Sequence, residues 1–154
     1  MAPRQIKDLA ELKTLAGEHL GYSNWLEIDQ ARVQMFADAT GDQQWIHTDP
    51  ERAKAQSPFG GPIAHGYLTL SLGPVLLPEI YSVGGVAMGV NYGANKVRFM
   101  SPVPVGAKVR AGAKLLNVED IAGGAQATIE LTFECEGAAK PSCVAEVIFR
   151  MYAG

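Results

Sequence analysis

The sequence predicts an α+β domain in which an antiparallel β-sheet curls around one long, central, apolar helix. Two observations carry this. From Gly66 to Ile80 the chain reads GYLTLSLGPVLLPEI, an apolar run with no broad polar face, as expected of a helix buried nearly all round. After Gly84-Gly85 the pattern changes to period two and recurs in four long segments, Met88 to Phe99, Lys108 to Val118, Ala127 to Cys135 and Cys143 to Tyr152. Helices followed by a block of strands indicate α+β rather than an alternating parallel fold.

The elements follow in order. Ile6, Leu9, Leu12 and Leu15 recur at a three-residue step, which predicts one face of a helix that ends by Gly17 and covers the core rather than forming it. His19 then falls in a loop, as a surface or capping residue. Trp25, Leu26 and Ile28 make a short extended segment, and Asp29 offers a carboxylate as N-cap to a helix running to about Ala39. Val33, Phe36 and Ala37 form its buried stripe, and Thr40-Gly41 ends it, because glycine tolerates the left-handed conformation at a helix terminus. Asp42 therefore stands just past a helix C-terminus, where the macrodipole disfavours an added negative charge. Asp49-Pro50-Glu51 starts a second, short helix with a cap, a proline at the first position and an acid in the first turn. Pro58, Gly60, Gly61 and Pro62 break the chain after it and deliver Ile63-Ala64-His65-Gly66 to the start of the apolar helix.

Length and composition bound the function. The 154 residues make about one domain, residues 1–154, with no internal repeat or linker. A net charge of −3, with 13 Lys and Arg spread thinly, argues against a nucleic-acid partner, which needs a basic stripe. The longest apolar run is too short, and too interrupted by Pro74 and Pro78, to span a bilayer. The opening MAPRQIKDLAELK has no apolar core of a signal peptide, so no membrane partner and a cytoplasmic location are expected. Cys135 and Cys143 match no metal or redox spacing and read as ordinary thiols.

The stretch Phe36 to Gly66 is denser in chemistry than periodicity requires. Asp42 and His47 stand five residues apart with Trp45 and Ile46 between them, an ionisable pair beside apolar side chains that suggests a partly dry pocket. Neither a GxGxxG nor a GxxxxGK[ST] motif is present, which leaves a nucleotide site without support. Ser71 lacks the glycine two residues before it that a nucleophile elbow needs, since Thr69 stands there. Asp42, His47 and His65 could in principle hold a metal, but no HExxH or close ligand pair accompanies them, and neither metal nor cofactor is expected.

The order Ala39-Thr40-Gly41-Asp42, Trp45-Ile46-His47, Asp49-Pro50, a Gly/Pro loop and Pro62-Ile63-Ala64-His65-Gly66-Tyr67-Leu68-Thr69 resembles the hydratase signature of the MaoC-like dehydratases, the (R)-specific enoyl-CoA hydratases of the hot-dog fold. Asn91-Tyr92-Gly93, Asn95 to Phe99, Pro102-Val103 and Val105-Gly106 are similar to the family's next strand and turn, so the likeness covers nearly the whole chain. Gln44-Trp45 departs from the family's common Asn-Pro, which makes the wall beside the pair bulkier and bears on acyl-chain preference.

The resemblance implies that Asp42 and His47 hold one water between them and share the proton transfers that add it across a trans-2-enoyl-CoA. It also implies that the backbone N–H of Gly66, at the helix start, stabilises the enolate-like oxygen. Trp45 and Ile46 then line the substrate site, His65 ties the loop to the helix beside it, and Lys96 and Arg98 are candidates for the CoA phosphates. Two rivals share the fold. A thioesterase takes a carboxylate from the buried helix, which here offers only Glu79 at its far end. A non-catalytic acyl-CoA-binding or assembly subunit has no need of both Asp42 and His47. An exposed edge of a lone curled sheet pairs with its like, so a homodimer with a continuous sheet is expected.

Overall fold

The computed structural model describes residues 2–154. In chain order the elements are β1 (Arg4–Ile6), α1 (Leu9–Thr14), β2 (His19–Tyr22), β3 (Leu26–Glu27), α2 (Gln30–Thr40), α3 (Trp45–Thr48) and α4 (Pro50–Gln56). Then come α5 (Gly66–Ser71), α6 (Gly73–Ile80), β4 (Tyr81–Val83), β5 (Val86–Phe99), β6 (Lys108–Ile121), β7 (Gly124–Cys135) and β8 (Cys143–Ala153).

The main sheet runs β2-β6-β7-β8-β5 with β3 also paired to β6, and every pairing in it is antiparallel. The four long strands are those the alternation predicts, and the alternation is visible in their burial. Along β7, Ala125, Ala127, Ile129, Leu131, Phe133 and Cys135 are buried while the residues between them are half-buried. The buried row packs on α5 and α6 through Leu68, Leu72, Leu76 and Ile80. Gly73 sits where helix and sheet approach closely, since a Cβ there would lie 3.2 Å from Leu131 Cδ1.

Five expectations are corrected. The central helix is not continuous: it breaks at Leu72 into α5 and α6. Pro74 supplies the reason, having no N–H to return to the preceding turn, and Leu72 instead donates to Thr69 O at 3.2 Å in a tightened turn. Nor is the helix covered on all sides, because Tyr67 (71% exposed), beside the edge strand β5, and Val75 (54% exposed) face outward. At the N-terminus Ile6 belongs to β1, which pairs in parallel with β4, and α1 starts only at Leu9, after the Asp8 side chain caps the Glu11 amide at 2.8 Å. Leu12 on α1 is fully buried and part of the core, so this helix closes one end of it rather than lying over it as a lid. His19 likewise lies in β2, not in a loop, with Nδ1 accepting from the Gly21 amide.

Candidate active site

Two helix ends and one loop assemble the site. Asp29 caps α2 by accepting from the Arg32 amide at 2.8 Å, and Val33 and Ala37 bury its inner face completely. Gly41 closes the helix with φ of 85°, a left-handed conformation that carries a steric penalty for any residue with a Cβ. The chain is thereby turned so that Asp42 and Gln43-Gln44 lead directly into the single turn α3, which the sequence reading missed. In α3 the His47 amide donates to Gln44 O at 3.0 Å and the Asp49 amide to Trp45 O at 3.1 Å. Asp49 then caps α4 through the Arg52 amide, as predicted.

The Gly/Pro loop is pinned from both sides. Ile63 N–H donates to Ile46 O at 3.0 Å, Ala64 N–H to Val103 O at 2.8 Å, and Val105 N–H to Pro62 O at 2.9 Å. These bonds set Ile63 and His65 against α3. His47 is buried at 6% exposure, and its Nδ1 lies 2.7 Å from Ile63 O. A carbonyl only accepts, so Nδ1 carries the hydrogen and the bare lone pair of the neutral ring is at Nε2. Burial holds the His47 pKa below its ordinary 6.5, reinforced by the neighbouring His65 and opposed by the Ile63 hydrogen bond and the Asp42 charge. The ring is therefore a neutral acceptor at neutral pH.

Asp42, His47 and His65 each present one polar atom, and the three atoms lie within 4.8 Å of one another. The Asp42 carboxylate makes one long contact, from the Gln44 amide to Oδ1 at 3.4 Å, which leaves lone pairs open toward that centre. These three groups are also the ones that could take up a cation. The two rings, however, stack at 3.9 Å and 24°, so their in-plane lone pairs run side by side rather than converging.

The predicted residues fall into three groups. Asp42, His47 and His65 are brought together. Gly66 is the first residue of α5, whose N-terminus no side chain caps, so its N–H has no intrahelical acceptor. A Cβ on Gly66 would lie 3.0–3.2 Å from the Phe99 ring, so the missing side chain makes room for that ring. Trp45 and Ile46 flank the pair half-buried, with the Arg52 guanidinium 4.3 Å over the Trp45 ring and Ile46 O holding the loop.

Lys96 and Arg98 are not brought to the pair within one protomer. Phe99 faces Gly66, so the alternation of β5 turns Arg98 and Lys96 to the opposite face of the sheet, where Lys96 lies 3.7 Å from Glu146 of β8. Glu79 of α6 accepts from Asn24 at 2.9 Å, at the end of the helix away from Gly66.

Three contributors were not anticipated as parts of the site. Gln30 donates through Nε2 to His47 O at 2.7 Å, Ile63 supplies the carbonyl that fixes the His47 tautomer, and Phe36 packs on His65 at 4.9 Å. Phe36 had a sequence signal as part of the buried stripe of α2, and Ile63 stood in the signature stretch, but neither signal told of its contact with a histidine. Beside Phe36 runs a groove of ≈ 540 Å³ between α5 and β5, lined mostly by apolar groups including Tyr67, Leu70, Pro74, Val147 and Phe149. A smaller cleft of ≈ 320 Å³ reaches Gly66 from the side of Phe59, Thr69 and Phe99. Neither is lined by Asp42 or His47, so the grooves flank the pair instead of lying between it and Gly66.

The stretch that carries Asp42, His47 and Gly66 lies inside a family match: the MaoC like domain matches residues 11–134. The chain belongs to the MaoC-like domain family. It is 55% identical over 151 residues to 3-hydroxyacyl-thioester dehydratase Z of Mycobacterium tuberculosis, covering 97% of this chain and 99% of that one. It is 44% identical to Nodulation protein N of Rhizobium leguminosarum bv. viciae, over 91% of this chain and 88% of the relative. Among solved structures, the (R)-hydratase from A. caviae involved in PHA biosynthesis superposes with a TM-score of 0.71 at 25% identity, covering 87% of this chain and 94% of that one. The sheet around a central helix is thus the hot-dog fold of these MaoC-like proteins. Among the described residues no helix is long and apolar enough to cross a membrane.

Proposed function

We propose that this MaoC-like protein is an (R)-specific enoyl-CoA hydratase, a hydro-lyase that reversibly adds water syn to a trans-2-enoyl-CoA to give the (R)-3-hydroxyacyl-CoA. The observation that carries the reading is the buried His47, its lone pair at Nε2, with a ring nitrogen within 4.8 Å of an Asp42 carboxylate oxygen. A water held there has two acceptors for its two hydrogens. Its oxygen forms the bond to C3 as one of the pair takes the proton, and the alkene electrons move toward the thioester oxygen. The same pair returns a proton to C2, so one water is consumed and both new bonds lie on one face. The Gly66 N–H, at an uncapped helix start, donates to the oxygen where negative charge grows. No step calls for a cofactor.

The groove beside Phe36 and Leu70 takes the acyl chain. The name of the Mycobacterium tuberculosis relative, a 3-hydroxyacyl-thioester dehydratase, supports the same chemistry read in reverse. Glu79 weakens the thioesterase alternative, since it stands in the last turn of α6, on the far side of the break from Gly66, and accepts there from Asn24.

We further propose a homodimer built on β5. This strand of 14 residues ends the sheet, is exposed along most of its length and lies beside the outward Tyr67. In that dimer Lys96 and Arg98 would meet the CoA phosphates of a thioester bound against the partner.

Crotonyl-CoA tests the function through its enoyl absorbance. Loss of the band without free thiol is the expected outcome. Release of thiol indicates a thioesterase, and binding with neither change indicates a non-catalytic subunit.

A further inference from the structure

His65 is placed as if it carried substrate, yet it is 3% exposed and its contacts are all internal. Its Nε2 lies 3.0 Å from Asp42 O, so Nε2 bears the hydrogen and donates it. Its ring lies between Phe36, at 4.9 Å and 55°, and His47, at 3.9 Å and 24°. Its Nδ1 is buried without a hydrogen-bond partner. A buried polar atom left unpaired costs about 1–3 kcal/mol, a penalty that a phenyl ring would avoid. The imidazole is therefore poorly explained as packing: the one thing it adds over Phe at this position is the N–H aimed at the Asp42 main chain.

We infer that His65 is a positioning residue, whose N–H fixes the backbone of Asp42 and whose face fixes the ring of His47, so that the two groups meet at one centre. The link is mechanical. Asp42 follows the left-handed Gly41 and its carboxylate makes only the long Gln44 contact among the described residues, so the His65 bond to its carbonyl fixes the backbone from which that carboxylate is aimed. His65 touches both members of the pair, through Asp42 O and through the His47 ring. This inference rests on the hydratase reading for its kinetic test but not for its spectroscopic one.

Two variants separate the N–H from the ring. In His65→Gln the terminal amide nitrogen replaces the Nε2 donor but removes the aromatic face; in His65→Phe the sandwich survives and the donor is lost. With crotonyl-CoA we expect His65→Phe to lower kcat roughly tenfold to a hundredfold with little change in KM, since a misplaced catalytic group slows chemistry without weakening ground-state binding. His65→Gln is expected to recover most of that loss. The second measurement follows the His47 ring protons by NMR against pH. His65 lowers the His47 pKa and the Asp42 charge raises it; both variants remove the first influence, so a released Asp42 in His65→Phe is expected to leave the His47 titration below that of His65→Gln.

Wild-type kcat in His65→Phe, or equal loss in a folded His65→Gln, overturns the inference. If the wild-type protein does not hydrate crotonyl-CoA, the hydratase reading falls. The NMR readout then decides the positioning role by itself: equal His47 titrations in His65→Phe and His65→Gln overturn it, and a lower one in His65→Phe sustains it.

Discussion

Replacing His47 by two different amides separates its chemistry from its hydrogen bond. The ring makes one buried bond, Nδ1–H to Ile63 O at 2.7 Å, and leaves Nε2 for the reaction. An asparagine amide nitrogen reaches about where Nδ1 lies, whereas a glutamine nitrogen falls near Nε2. His47→Asn should therefore keep the Ile63 carbonyl satisfied while removing the base, and His47→Gln should leave that carbonyl unpaired. Leaving a buried acceptor unpaired costs about 1–3 kcal/mol, and each kcal/mol lowers Tm by about 2–4 °C in a chain of this size. His47→Gln is thus expected to melt several degrees below His47→Asn. Both should lose hydration by about a hundredfold or more, which corresponds to about 2.7 kcal/mol of transition-state stabilisation. The assays are a thermal melt and the decay of the enoyl band of crotonyl-CoA. Near-normal turnover in a folded His47→Asn would refute the role given to Nε2, and equal melting of the two variants would refute the role given to Nδ1.

Other expectations are simpler. Asp42→Asn should reduce hydration by about a hundredfold with a melt close to wild type, because its carboxylate makes only the 3.4 Å contact with the Gln44 amide. The acid limb of kcat/KM should lie below the ordinary imidazole value of 6.5, because burial lowers the His47 pKa and the neutral ring is the acceptor; a limb above 6.5 would contradict this. The same shift makes stability depend on pH. The unfolded chain takes up a proton at His47 near 6.5 before the folded one does, so this contribution is complete above 6.5 and declines as pH falls through the folded pKa. Denaturant titrations from pH 7.5 to 5 would register the decline. Gly66→Ala places a Cβ 3.0–3.2 Å from a Phe99 ring that is 45% exposed and can swing outward. We expect a stability loss of about 1 kcal/mol or less and roughly a tenfold loss of rate from disturbing the helix start. If Phe99→Ala restores the rate in that background, the glycine serves the ring and not the thioester.

How far the sequence reached depended on whether a feature was local. The caps at Asp29 and Asp49, the stop at Gly41 and the period-two strands were legible, because each rests on contacts within one turn or one strand. The break at Leu72 was within reach as well: Pro74 was noted only as an obstacle to a membrane span, although its missing N–H also interrupts the helix. Ile6 was misplaced in a helix because a three-residue apolar step also fits a strand end followed by a capped turn, and its partner β4 lies far along the chain.

The site shows the same division. The identities of Asp42, His47 and Gly66, and the glycine and proline spacing that brings them near one another, are written in the chain. The tautomer of His47 is not, because it is set by the carbonyl of Ile63, 16 residues away across a loop. Nor is the burial of His65 between Phe36 and His47, which depends on three elements meeting, or the outward turn of Lys96 and Arg98, which depends on the face Phe99 takes against Gly66. Residue type and short spacing determine which chemistry is available. Orientation, protonation and the sides of the sheet are decided by long-range packing, where a buried polar atom must find its partner in space and not in sequence.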